Sequence, residues 1–240
     1  MSEQADYGVD APTVVRNLIL GGIAGIAVGW IGAHLSLLPA WAQLIIAWVG
    51  GAVGIICFLE ALYCYWSSKV GKLRQREILL DELQLKGDEQ LLDVGCGRGL
   101  LLIGAAKRLP RGRAVGIDLW QAEDLSNNSA DATMANAQRE GVSERVEVVT
   151  GDMRKMPFAT DSFDVVISSM VIHNVYTPGE RQQALSEVYR VLKPGGRFRI
   201  QDFRHTKDYV EVLTGLGAKE VTRSSPVFNV YGARIVSGTK

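Results

Sequence analysis

From Leu18 to Leu38 the chain reads LILGGIAGIAVGWIGAHLSLL, uncharged unless His34 is protonated. A helix of that length reaches across the roughly 30 Å hydrocarbon layer of a bilayer, so the run predicts a transmembrane span. Pro39 interrupts it. Ala40 to Trp66 then supplies a second apolar run whose single acidic residue, Glu60, lies near the far end, where its carboxylate can snorkel to the surface. Two consecutive runs of this length exceed what a domain of this size buries in a soluble core, and they constrain residues 18–66 to a helical hairpin. A secretory signal peptide is disfavoured, because the amino-terminal region is acidic, the first run is long for such a segment, and a second run follows at once.

Lys69, Lys72, Arg74 and Arg76 lie just beyond the second run, whereas the connection around Pro39 carries no basic residue. The positive-inside rule therefore predicts a two-span membrane protein with both termini facing the cytoplasm. Gly21, Gly25 and Gly29 recur at helical spacing, as do Gly50 and Gly54, giving each helix a smooth strip on which another backbone can approach. The hairpin is expected to pack on itself, and the same strips offer a surface for a homodimer. Trp41 near one boundary and Tyr63, Tyr65 and Trp66 near the other suit an interfacial belt.

The 26 basic residues balance 26 acidic ones, with no clustered basic face of the kind that phosphate neutralisation requires, so nucleic acid is set aside as a partner. Cys57, Cys64 and Cys96 form neither a disulfide framework nor a metal-ligand grouping, and no metal is expected. Small apolar fillers in a reducing, cytoplasm-facing setting fit them best.

Beyond a linker helix at Lys69 to Leu83, strand-like and helix-like segments alternate, which predicts an α/β domain with a doubly wound, mostly parallel sheet. Strands are expected at 90–94, 114–118, 146–150, 163–168 and 197–202, helices at 100–109, 130–140, 179–192 and 207–216, and a closing antiparallel hairpin. The division is a cytosolic tail over 1–17, the hairpin over 18–66, the linker over 67–86 and the α/β domain over 87–240.

Ligands of such sheets bind outside the carboxyl ends of the strands. The first strand runs into DVGCGRG, where Gly95, Gly97 and Gly99 let the backbone turn sharply and approach a ligand, and the following helix presents free N–H groups to an anion. A nicotinamide dinucleotide normally requires GxGxxG, yet Leu100 stands at the third glycine. Asp118, ending the second strand, can accept both hydroxyls of a ribose. Asp152, after the third, is placed to accept from an adenine amino group, with Met153 beside it.

DVGCGRG, GID, GDMRKMPF, FDVVISSMVIHNV, EVYRVLKPGGRF and the closing hairpin, in that order, resemble the class I S-adenosylmethionine-dependent methyltransferases over nearly all of Leu83 to Lys240. The resemblance implies a seven-stranded Rossmann-like sheet with one antiparallel strand and S-adenosylmethionine as cofactor. It implies the methionine end near Asp93, Gly95 and Gly97, with Gly99 in the same loop, the ribose on Asp118, and the adenine near Leu119, Asp152 and Met153. Ser168 or Ser169 would lie beside the amino group, Ser169 being the one retained. FDVVISSMVIHNV is also similar to its counterpart in quinone-ring methyltransferases, without choosing an acceptor.

A methyl sulfonium is already activated, so the protein mainly aligns a nucleophile and excludes water. His173, on the loop after the fourth strand, is the candidate base, with Asn174 and Tyr176 to orient it or the substrate; His205 is a second candidate. The Trp120–Ser129 loop reads as a lid or as a plain solvated connection. The leading expectation is a membrane-anchored enzyme that methylates a small, lipophilic molecule on oxygen, sulfur or nitrogen. A non-catalytic cofactor-binding scaffold and a protein methyltransferase are the alternatives.

Overall fold

Pro12, whose ring presets a helical φ, opens α1 (Pro12–His34), so the first apolar helix begins inside the segment expected to be a tail. The computed structural model describes residues 5–121 and 125–240. After a short turn before Pro39, α2 (Ala40–Trp66) returns alongside α1. At about 1.5 Å per residue both helices are long enough, and apolar enough, to cross a bilayer. Their burial is inverted relative to a soluble bundle: Gly22, Gly29, Gly50 and Gly54 are inside, while Trp30, Leu37 and Trp48 are strongly exposed.

The glycine strips meet each other. A Cβ on Gly50 would lie 2.6 Å from the Gly25 carbonyl and from the Gly29 Cα, so only bare backbone fits there. Cys57 packs near Gly21 instead of pairing with Cys64, and both thiols are free. The strips are thus packed on each other within the hairpin, as expected.

The helix continues without a break into the domain. A π-turn at Ser67–Gly71 leads into α3 (Lys72–Asp81), the position of the expected linker helix. The wider turn is pinned by the carboxyl-terminal part of the chain: Ser67 Oγ donates to the Asn229 carbonyl at 2.9 Å and Tyr63 Oη to the Phe228 carbonyl at 2.6 Å. A side chain at Gly71 would run into the Asn229 carbonyl.

The domain alternates β1 (Gln90–Val94), α4 (Leu100–Lys107), β2 (Arg113–Asp118), α5 (Ala130–Arg139), β3 (Val146–Thr150), β4 (Phe163–Ser169), α6 (Pro178–Val191), β5 (Leu192–Asp202), α7 (Thr206–Gly215), β6 (Lys219–Arg223) and β7 (Arg234–Thr239). The sheet order is β3-β2-β1-β4-β5-β7-β6, parallel except that β7 runs antiparallel to both its neighbours. The seven-stranded, mostly parallel expectation is met. Leu79 and Leu80 of α3, with α4 and α5, cover one face through Leu91, Val165 and Ile167; α6 and α7 cover the other through Leu92, Val166 and Ile200. Strand order reverses between β1 and β4, and a ligand site opens at such a switch point.

Two details depart from the expected boundaries. Pro194, Gly195 and Gly196 end α6 as anticipated, yet they lie inside β5, where the pairing with β4 shifts register and the missing proline N–H is tolerated. The stretch Ala5–Asp10 is also no loose tail. It lies against the domain as a strap, with Tyr7 buried, Val9 and Ser126 exchanging hydrogen bonds, and Asn136 bonding Asp6 from both ends of its amide.

Candidate active site

A cavity of about 560 Å³ opens over the carboxyl ends of β1, β2 and β4. Its floor is the glycine turn. Gly95 and Gly97 have φ of 72° and 51°, the left-handed region where a side chain is strained, and both positions are also crowded. A Cβ on Gly95 would come within 2.5 Å of the Val171 methyl groups, and one on Gly97 within 2.9 Å of Leu125. The result is a backbone cradle that a ligand can approach as no side chain could.

Asp93 and Asp118 flank the cradle. Asp93 is buried, and burial, reinforced by the Asp118 carboxylate, pushes its acid up to about 8. Asp118 accepts from the Gly97 N–H at 2.8 Å through one oxygen and from the Trp120 N–H at 2.6 Å through the other. Asn128 Nδ2 also donates, at 3.3 Å, to the oxygen that takes the Trp120 N–H, so the Gly97-bonded oxygen is the one with a lone pair left for a further donor. Leu119, Met153 and Asp152 line the same end of the cavity, and Ser169 lines it beyond Asp93. Asp152 is engaged by Arg154, whose guanidinium holds its carboxyl below the usual range, so an amino donor there would share the carboxylate. Burial beside Asp93 and Asp118 pushes the Cys96 thiol well up, which removes it as a nucleophile at neutral pH.

On the far side stands His173, in the 3₁₀ turn after β4. Its Nδ1 lies 2.7 Å from Asp202 Oδ1, approached obliquely and without a straight hydrogen bond. Asp202 is fully buried at the end of β5, and its other oxygen accepts from the His173 backbone N–H at 3.0 Å and from the Tyr209 hydroxyl at 3.1 Å. The Phe203 ring meets the imidazole edge-on at 4.4 Å. Ring and carboxylate are thus held from several sides, and the cavity also takes in Asn174 and Tyr176.

Comparison with known proteins fits this arrangement. Residues 92–200 match the family described as a methyltransferase domain. The chain is 34% identical over 128 residues to a ubiquinone/menaquinone biosynthesis C-methyltransferase from Roseobacter denitrificans, covering 53% of this chain and 48% of that protein. It is 30% identical over 131 residues to a sterol 4-C-methyltransferase of Caenorhabditis elegans, covering 55% of this chain and 36% of that one. The fold of an S-adenosylmethionine-dependent methyltransferase from Aquifex aeolicus superposes with a TM-score of 0.57 over 70% of this chain and 90% of that one, at 22% identity.

The domain belongs to the class I S-adenosylmethionine-dependent methyltransferases. Its cofactor is S-adenosylmethionine. The chain spans about half the length of the quinone-pathway relative, and the family match, residues 92–200, lies within the α/β domain.

The methyltransferase cradle fits that cofactor on its own observations: a side-chain-free turn, acids on either side of it, and a buried amide on Gln75 with neither nitrogen nor oxygen hydrogen-bonded among the described residues. Several sequence expectations change. Gly99 is not part of the cavity wall; its φ of 83° forms the turn into α4, and a Cβ there would press on Ile103 and Thr133. His205 also lies outside, at the start of α7 beside Asp208. Ser168 turns inward to bond the Val94 carbonyl at 2.9 Å. In the Trp120–Ser129 loop, residues 122–124 lie outside the described residues; Leu125 covers Gly97, and the strap in turn bridges to Leu125.

The strap is the part of the site that sequence reasoning missed. Lys72, one of the basic residues that set the expected topology, is buried and donates to the Tyr7 and Gly8 carbonyls and to Asp10 at 2.8 to 3.1 Å. Burial pulls its pKa down, against the opposing pull of Asp10. Lys69 pairs with Asp6, and Arg76 packs over the Tyr7 ring, which leaves Arg74 as the exposed cation of the four. Tyr7 and Asp10 thereby become cavity wall. Asp202 and Gln75 were also passed over. QDFRH at a strand end signalled the first; nothing local marks a glutamine in a polar helix.

Proposed function

We propose that the protein is a membrane-anchored methyltransferase whose acceptor is a small lipophilic molecule drawn from the bilayer. The observation that carries this reading is the make-up of the cavity wall. It includes the glycine cradle and His173 and also Val14 of α1, Cys64 of α2 and Tyr231, at the foot of the hairpin. A molecule held between acyl chains is thereby brought close to the site, and confinement to the same surface raises its effective concentration. The two spans and the cytoplasmic placement of the domain are part of this proposal, supported by the length of α1 and α2, their exposed apolar surface, and the basic residues of the linker.

S-adenosylmethionine supplies an activated methyl group when bound. Asp118 is assigned to the ribose hydroxyls; Asp93, Gly95, Gly97 and Ser169 to the methionine end; Leu119, Asp152 and Met153 to the adenine. Asp202 holds the His173 turn and ring in place through the backbone N–H and the Nδ1 contact. The outer ring nitrogen, Nε2, can then take a proton from an acidic hydroxyl of the acceptor. Deprotonation of a phenol enriches both its oxygen and the adjacent ring carbon. With both relatives described above being C-methyltransferases by name, carbon joins oxygen, sulfur and nitrogen as an acceptor atom.

The test is incubation of the full chain with methyl-labelled cofactor and a fractionated membrane lipid extract. Label should enter one extractable, lipophilic product. Label confined to protein, or to water-soluble compounds, would overturn the proposal.

A further inference from the structure

Gln75 is 2% exposed, and among the described residues neither its Oε1 nor its Nε2 has a hydrogen-bond partner. An unpaired buried amide forgoes the hydrogen bonds it would make to water, so a residue in this state points to a missing ligand. Its side chain lines the cavity already described.

Its position decides which part of a ligand it meets. α3 runs against the sheet with Glu82 on Arg199 and the Leu83 carbonyl on Arg197, toward the amino end of β5. Leu79 packs with Leu91 and Ile167. One turn earlier on the same face, Gln75 therefore stands over the carboxyl ends of β1 and β4, on the side of the sheet that carries Asp93 and Ser169. Asp202 points to the opposite side, among the residues that pack with α7, and His173 is tied to it. With the ribose at Asp118 on β2, a ligand crossing the cradle toward β4 brings its far end under Gln75, while the acceptor groups lie across the sheet.

The chemistry of that far end matches an amide. An amino-acid zwitterion presents a carboxylate and an ammonium together, and a single amide offers one donor and one acceptor. Lys72, the nearest buried cation on the helix, already directs its ammonium to the Tyr7 and Gly8 carbonyls and to Asp10. We propose that Gln75 is a cofactor-binding residue, with Nε2 donating to the carboxylate of the methionine end and Oε1 accepting from its ammonium. The inference rests on the cofactor assignment made above. It also means that the helix Ala40–Asp81, which begins among the apolar residues of the hairpin, carries one wall of the cofactor site.

The experiment compares two ligands on the full chain in detergent: S-adenosylhomocysteine, which has the amino-acid end, and 5′-methylthioadenosine, which lacks it. Gln75→Leu should weaken S-adenosylhomocysteine by about 10- to 100-fold, the range for a hydrogen bond to a charged group, and leave methylthioadenosine within twofold. Gln75→Glu, which keeps the shape and sets a carboxylate against a carboxylate, should show the same selectivity. Unchanged S-adenosylhomocysteine affinity in both variants would overturn the assignment. So would an equal loss of both ligands, which marks a residue that acts through the fold. A parent chain that binds neither ligand would overturn the cofactor assignment, and this inference with it.

Discussion

Asp93, assigned above to the methionine end, should make cofactor binding a proton-linked event. With its acid pushed up to about 8 by burial, the side chain is roughly nine-tenths protonated at pH 7 in the free protein. A bound ammonium beside it favours the carboxylate, so loading should expel close to one proton at pH 7, about half at pH 8, and little above pH 9. The deprotonation costs about 1.4 kcal/mol at pH 7, so affinity should rise about tenfold toward higher pH and then level off. Folding stability runs the other way. The pKa is raised on folding, so this group's contribution is fully present below its ordinary value of 3.8 and is lost as pH climbs toward 8, at about 1.4 kcal/mol per unit. Calorimetric titration with S-adenosylhomocysteine in phosphate and in Tris at pH 7 reads the released proton from the difference in heat. Asp93→Asn should abolish that difference and flatten the stability profile between pH 5 and 7. Binding heats that do not depend on the buffer, or the same release from the variant, would refute the reasoning.

Asp118→Ala should weaken S-adenosylmethionine by about 1 to 3 kcal/mol, read by calorimetry, and should not create NADH binding; part of the loss will come from the freed Gly97 N–H. His173→Ala and Asp202→Asn should each lower turnover with the lipophilic acceptor far more than they lower cofactor affinity, and turnover within a few-fold of the parent in both would remove the base role. Gly50→Val should drive apart helices that now touch backbone to backbone, lowering the thermal midpoint of the detergent-solubilised chain; an unchanged midpoint would mean that the hairpin repacks freely.

The sheet was legible because its strands are short apolar runs closed by acids and glycines: β1 and β3 begin and end where the sequence pattern puts them. The cradle was legible because side-chain-free backbone has a compositional mark. Long-range burial has none. Lys72 reads as a surface cation until the strap that surrounds it is seen, and Tyr7 looks like an ordinary tail residue though it packs on the domain core. Gly99 and Gly97 share one motif, yet only their neighbours in space, Thr133 in one case and Leu125 in the other, separate a packing glycine from a ligand-facing one. The same holds for the paired strips of the hairpin, whose spacing says that a backbone approaches but not whose.

The central claim, that the acceptor reaches the methyltransferase site from the bilayer, is tested by placing the full chain in liposomes and supplying the lipophilic acceptor isolated from the membrane extract either in the same vesicles or in separate, protein-free ones. The whole chain is needed because the strap ahead of α1 forms part of the cavity wall. The account predicts rapid methylation only when that acceptor shares the bilayer with the protein, and equal methylation of a water-soluble analogue in both arrangements. Equal rates for the lipophilic acceptor from shared and separate vesicles would contradict it.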